Sequence, residues 1–291
     1  MDTMLPLIFV LALAGWMLDL AGGGAAPGGV TIALDQGSEG PRPDDPKIYG
    51  ARAAGRPLVV LDPGHGGRDP GAISPFGAKR EKDVTLAIAE AIRDELVASG
   101  KVRVALTRED DRFIDLQERY RIARRLDADL FISVHADAAP ANDGARGASI
   151  YTLSEVASDR EAALLAEQQN SGERVAGAAL GADEGVNRIL IDLAQRESME
   201  VSAEFARLLE REAKPFFPFR PDSHRFASLI VLKAPDVPSI LFETGYLTNP
   251  VDAQYIQSAE GQKQIATGMR RAIEAHFARR LLDEGLRTAR R

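Results

Sequence analysis

Among its 291 residues the chain has no cysteine. That absence excludes disulfides, thiolate metal ligands and a cysteine nucleophile in one step. Histidine is scarce too: His65, His135, His224 and His276 are the four. Any metal must therefore be held by these imidazoles with Asp or Glu. Excess positive charge is also missing, with 36 Lys and Arg against 43 Asp and Glu and a net charge of -7. Phosphate binding needs a basic face, so the balance argues against a nucleic-acid partner. Long apolar runs are lacking except for Met4–Leu18, MLPLIFVLALAGWML. About fifteen residues is short for a membrane span and fits the core of a signal peptide. Small residues follow at Ala21–Ala26, where a peptidase can cut, but no Lys or Arg precedes the run. Residues 1–26 are accordingly read as a signal peptide or an N-terminal anchor, with a buried helix as the ordinary alternative.

Residues 27–56 are rich in Gly, Pro and Asp and hold no helical or strand period. They read as a disordered linker. The folded domain is expected from residue 57 to 282, with a basic tail at 283–291. Its length suits one sizeable core, and no internal repeat interrupts it. Leu58–Leu61 predicts a first strand. From Glu81 to Ser99, Val84, Ile88, Ile92 and Leu96 fall at four-residue steps, one apolar stripe on a helix closed by Gly100. Further strands are expected at Val102–Leu106, Asp129–Val134, Ser149–Leu153, Ser228–Leu232 and Ser239–Phe242. Helices are expected at Leu116–Leu126 and Ser158–Leu180, as a pair within Asn187–Leu209, and at Val251–Ser258 and Gly261–Leu282. Pro215–Pro221 reads as a loop. Short apolar strands alternating with helices predict an α/β domain, a mostly parallel twisted sheet with helices on both faces. In such sheets the site lies beyond the carboxyl ends of the strands.

Two histidines stand there. His65 follows the first strand in LDPGHGG, and His135 ends DLFISVH. Glu81 opens the helix after the first loop, and Glu243 ends the last strand. Two imidazoles and a carboxylate suit a catalytic zinc, which takes three protein ligands and leaves a fourth position open. A further carboxylate off the metal then serves as general base and acid. Singly, each residue has a plainer reading. A strand-end His is often a hydrogen-bonded structural residue. Glu81 suits a helix start through the dipole alone, and Glu243 suits a half-buried salt bridge. The GHGG turn also fits a phosphate-cradling loop, without the Gly spacing and Lys of a P-loop. The joint placement is what points to zinc.

Five stretches carry a resemblance: LDPGHGGRDPGA (Leu61–Ala72), EKDVTLAIA (Glu81–Ala89), LTREDDRFIDLQERYRIA (Leu106–Ala123), ADLFISVHADA (Ala128–Ala138) and VLKAPDVPSILFETGYLTNP (Val231–Pro250). In this order and spacing they resemble the zinc-dependent N-acetylmuramoyl-L-alanine amidases of bacterial cell-wall metabolism, those with the AmiA/AmiB/AmiC-type catalytic domain. The resemblance implies His65, Glu81 and His135 as zinc ligands and Glu243 as the catalytic carboxylate. It implies hydrolysis of the amide between the lactyl group of N-acetylmuramic acid and L-alanine of the stem peptide, in an exported enzyme of the periplasm or cell envelope. Asp137, two residues after His135, reads either as support for that ligand or as an ordinary loop acid. Arg108 and Arg119 read as structural ion-pair residues.

Ser158–Leu180 resembles the extra helix of the division-associated members, which plugs the zinc site with a Glu until an activator withdraws it. By that likeness the partners are peptidoglycan and an activator with a LytM-type domain. Around LAEQQN the chain offers Glu167 and then Gln168 and Gln169. If Glu167 reaches the zinc the plug is intact, and if Gln169 does it is weak. An ordinary surface helix is the plainer reading. Two other functions stay open on the residues alone: a zinc carboxypeptidase or aminopeptidase on a similar sheet, and a non-catalytic wall-binding scaffold.

Overall fold

The computed structural model describes residues 42, 44–52, 55–136, 138, 144–171 and 185–289. Among these residues thirteen strands and α-helices occur in chain order: β1 (Ile48–Tyr49), β2 (Leu58–Pro63), α1 (Glu81–Ser99), β3 (Arg103–Leu106), α2 (Leu116–Arg125), β4 (Leu130–His135), β5 (Ala148–Leu153), α3 (Arg160–Asn170), α4 (Gly185–Ala213), β6 (Phe219–Ala227), β7 (Ser239–Glu243), α5 (Pro250–Ile256) and α6 (Ala259–Ala289). The strands form one seven-stranded sheet in the order β1-β3-β2-β4-β7-β5-β6. β3, β2, β4 and β7 run parallel, while β1 and the β5–β7 pairing are antiparallel. The sheet thus reaches into the stretch read as a linker, through Ile48 and Tyr49.

Helices cover both faces because the central strands are apolar on both. Val59, Leu61, Ile132, Val134, Ile240 and Phe242 pack with α1, α4 and α6, while Leu58, Val60, Phe131 and Leu241 pack with residues of α2 and α3. Ile88, Ile92 and Leu96 of α1 are fully buried, each stabilising the fold by roughly 1.5–3 kcal/mol. Gly100 ends α1 in the left-handed conformation, φ 67°, its N–H bonded to the Val97 carbonyl. Asn249 caps α5 and Pro250 occupies its first turn. Among the described residues no helix is long and apolar enough to cross a membrane.

Three expectations are corrected. Ser228–Leu232 is not a strand: Ile230–Leu232 is a 3-10 turn, closed by Leu232 N–H to Leu229 O and Lys233 N–H to Ile230 O. Its apolar side chains fill the core beside α2 and α3, so burial there needs no ladder. The edge strand is β6, which begins inside the presumed loop. β6 is polar because it pairs with β5 alone and buries only Ser223, Arg225 and Ala227. Pro221 is tolerated on such an edge. The pair of helices expected within Asn187–Leu209 is one, α4, since no Gly or Pro interrupts residues 187–209.

The strand order reverses around β2, with β3 on one side and β4 on the other. Such a switch point opens a crevice at the carboxyl ends of the two strands. His65 leaves β2 there and His135 ends β4 there.

Candidate metal centre

β2 stops at Pro63 and the chain turns sharply. His65 takes a left-handed conformation, φ 61°, unusual for a residue with a side chain. Two glycines make room for the cluster. A Cβ on Gly64 would lie 2.3 Å from the His135 ring, and one on Gly71 would lie 2.6 Å from Glu81 Oε2. The loop then enters α1, whose first residue is Glu81.

His65, Glu81 and His135 meet, with one ligand atom from each lying within 4.8 Å of the others. Glu81 Oε1 lies 3.1 Å from His135 Nδ1 and accepts the Ala136 N–H. Oε2 lies 3.1 Å from His65 Nε2 and accepts the Ala72 N–H. The carboxylate is therefore aimed by two backbone donors, one from each histidine's segment. His65 Nε2 is buried, and its geometry toward Glu81 is not that of a hydrogen bond. A buried ring nitrogen turned into the cluster is suitably placed to ligate a metal. The other nitrogen, Nδ1, is 2.9 Å from Asp69 Oδ2. Asp69, four residues after His65, is a functional candidate the sequence reading missed. The signal was there, since ligating imidazoles commonly hand their second nitrogen to a nearby carboxylate.

The charges agree. Burial pushes His65 down, but Glu81 and Asp69 outweigh it and raise the imidazole to about 9. Burial pushes Glu81 up, and the two imidazoles hold it well below the carboxylate range. His135 is pushed down by burial. The cluster thus favours one added positive charge. A divalent cation can take that place by displacing the proton. Donor set, spacing and charge all fit zinc.

Glu243 is fully buried at the end of β7. Its Cα is in register with that of His135 across the parallel β4–β7 pair. Register partners share a face of the sheet, so Glu243 stands beside the cluster. Asp137 lies outside the described residues.

The helix α3 crosses the same end of the molecule. Ala162, Leu165, Ala166 and Gln169 are its buried residues. Glu167 is exposed. Gln169 lines a cavity of about 20 Å³ together with His65, His135, Asp69, Arg119 and the loop residues Phe113 and Ile114. Of the two residues named from sequence, the fold brings Gln169 to the site. α3 is tied down along its length. Asp159 caps its first turn at Ala162 and pairs with Arg225. Glu161 pairs with Arg220 and accepts the Tyr246 hydroxyl. Asn170 donates to Ser228 O at 2.8 Å and accepts Ile230 N–H at 3.0 Å.

Comparison with known proteins agrees with the motifs. Residues 59–275 match the family described as N-acetylmuramoyl-L-alanine amidase. The chain is 39% identical to N-acetylmuramoyl-L-alanine amidase AmiA of Escherichia coli K12 over 228 residues, 78% of each protein. It is 37% identical to AmiC of Neisseria meningitidis over 79% of this chain and 55% of that longer protein. Among solved structures it resembles the N-acetylmuramoyl-L-alanine amidase AmiC2 of Nostoc punctiforme, with a TM-score of 0.55 and 28% identity, covering 78% of this chain and 99% of that one. CwlV of Paenibacillus polymyxa shares the fold at a TM-score of 0.56. The chain belongs to the N-acetylmuramoyl-L-alanine amidases, the amide hydrolases of peptidoglycan.

Proposed function

We propose that this amidase uses a zinc ion held by His65, Glu81 and His135, with Glu243 as its proton carrier. The observation that carries this reading is the convergence of two imidazoles and a carboxylate within 4.8 Å at the switch point of the sheet. When bound, zinc supplies Lewis acidity, which polarises a carbonyl and acidifies water. The protein's own groups do the rest. Asp69 and the Ala72 and Ala136 N–H groups orient the ligands. Glu243 accepts the proton of the attacking water and passes it to the leaving nitrogen of L-alanine as the lactyl C–N bond breaks.

The same enzyme is closed in this state by α3. Support comes from the cavity under Gln169, whose volume of about 20 Å³ holds roughly one water molecule and no part of a muramoyl peptide. Gln169 is neutral where a carboxylate would bind a cation strongly. Closure therefore rests on the contacts that tie α3 to β6 rather than on ligation. An activator with a LytM-type domain would withdraw the helix. Such control suits wall cleavage during daughter-cell separation, in the periplasm, with residues 1–26 as signal or anchor.

The test applies the full chain to purified sacculi, with soluble products identified by mass spectrometry. Stem peptides with a free L-alanine amine are expected. They should disappear with Glu243→Gln and with chelator, and increase when α3 is loosened. Cleavage of free stem peptides, with none released from sacculi, would make it a peptidase instead.

A further inference from the structure

Beneath the ligands lie two arginines whose burial is hard to explain by charge. Arg108 is 0% exposed and Arg119 is 2% exposed. Among the described residues, Asp62 is the one carboxylate bonded to either buried guanidinium, at 2.9 Å from Arg119. Burial and the neighbouring Arg119 pull Arg108 down to about 10, so it remains cationic at neutral pH. The floor of a cation site thus carries more positive than negative charge. Electrostatics alone would place a neutral residue there, and stability alone would favour an apolar one.

What the arginines do is bind carbonyls. Arg108 donates Nε to Pro63 O at 3.0 Å and Nη2 to Gly64 O at 2.7 Å. The same Nη2 reaches Lys82 O at 2.8 Å. Arg119 donates Nη1 to Pro63 O at 2.9 Å and Nη2 to His65 O at 2.7 Å. Three successive carbonyls around the left-handed His65 are held, and one nitrogen joins the His65 turn to the residue after Glu81. Thr85 Oγ1 adds a bond to Gly64 O at 3.0 Å. A rigid five-donor fork can span these acceptors, whereas an ammonium group cannot.

We propose that Arg108 and Arg119 are positioning residues for the metal centre, fixing the spacing of His65 and Glu81 at the cost of adverse charge. This rests on the zinc reading above. The test measures zinc affinity of the full chain by competition with a chelator, and the absorption bands of the cobalt-substituted protein as a report on ligand geometry. Arg108→Lys and Arg119→Lys keep the charge and lose the fork. Each should weaken zinc at least tenfold and shift the cobalt bands. Thr85→Val, a milder change, should weaken it about threefold, on the scale of one lost hydrogen bond. Arg103→Lys is the control. It lies on the same strand as the approach to Arg108, and its Nε binds Arg56 O away from the cluster. If Arg119→Lys fails to fold, Arg108→Lys and Thr85→Val carry the decision. Folded variants with lower melting temperatures but zinc affinity and cobalt bands unchanged would show that the arginines serve the fold alone. A parent protein that takes up no zinc overturns the zinc reading and this inference with it. Normal uptake in parent and variants alike overturns only the inference.

Discussion

The floor of the metal centre and the helix laid across it are both rich in arginine pairs, yet they are built for opposite lives. On the floor Asp62 and Arg119 are 0% and 2% exposed, and most guanidinium contacts are to buried acceptors, among them Pro63 O, Gly64 O and Lys82 O. Over the site, the acids that hold α3 are partly open to water, Asp159 at 44% and Glu161 at 38%, while their partners Arg225 and Arg220 are more covered, at 6% and 18%. A buried network is costly to break, because each lost partner leaves an unsatisfied polar group. A pair whose acid reaches water can exchange that partner at lower cost and is partly screened by salt. On the proposed reading, the same side chains thus serve a part that stays fixed and a part that an activator withdraws.

The largest effect separates chemistry from both regions. A chelator should abolish stem-peptide release from sacculi, and added zinc should restore it. Glu243→Gln should lower turnover about 10³-fold, equivalent to about 4 kcal/mol, with zinc content unchanged. A loss of less than tenfold would remove Glu243 from the proposed role. Next, the double change Arg220→Ala with Arg225→Ala should raise basal turnover on the order of tenfold, a shift of about 1.4 kcal/mol in the closed state. Unaltered turnover would mean that α3 is ordinary surface. Gln169→Glu puts a carboxylate beside His65 and His135, and should lower basal turnover about threefold through an added charge-assisted contact.

The smallest effect concerns pH. Arg220 holds Glu161 down to about 2, from an ordinary 4.5. A depressed carboxylate contributes its stabilisation above the ordinary value and loses it as pH falls toward the shifted one. Hydrogen exchange should find α3 equally protected at pH 7 and 6, and loosened by pH 3. The floor should keep its protection longer, since burial shields its partners from solvent.

Much of this was legible in the sequence. The α1 stripe and the strands ending at His65, His135 and Glu243 follow from apolar spacing and turn residues, which depend on local chain chemistry. The family motifs suggested the roles. The rest depends on partners that lie far away in sequence. β6 is a strand because β5 offers it an edge, and nothing in FRPDSHRFA announces that. Arg108 and Arg119 looked like ion-pair residues. Among the described residues only Arg119 bonds a carboxylate, while Arg108 bonds carbonyls that the turn at His65 brings within reach. The choice between Glu167 and Gln169 was in fact present in the pattern. Ala162, Leu165 and Ala166 stand at helical spacing, and Gln169 continues their face where Glu167 leaves it.

The switch point also sets an order of events. His65, Glu81, His135 and Glu243 are spread over most of the folded chain, and His135 and Glu243 become neighbours only when β7 joins β4. Contacts so distant in sequence form late in folding because loop closure must come first. A chain that is still emerging, or one that lacks β7, therefore has no Glu243 beside the proposed ligands. On the proposed roles, hydrolytic power arrives only with the last strand of the sheet, so an unfinished copy of this enzyme could not cut peptidoglycan.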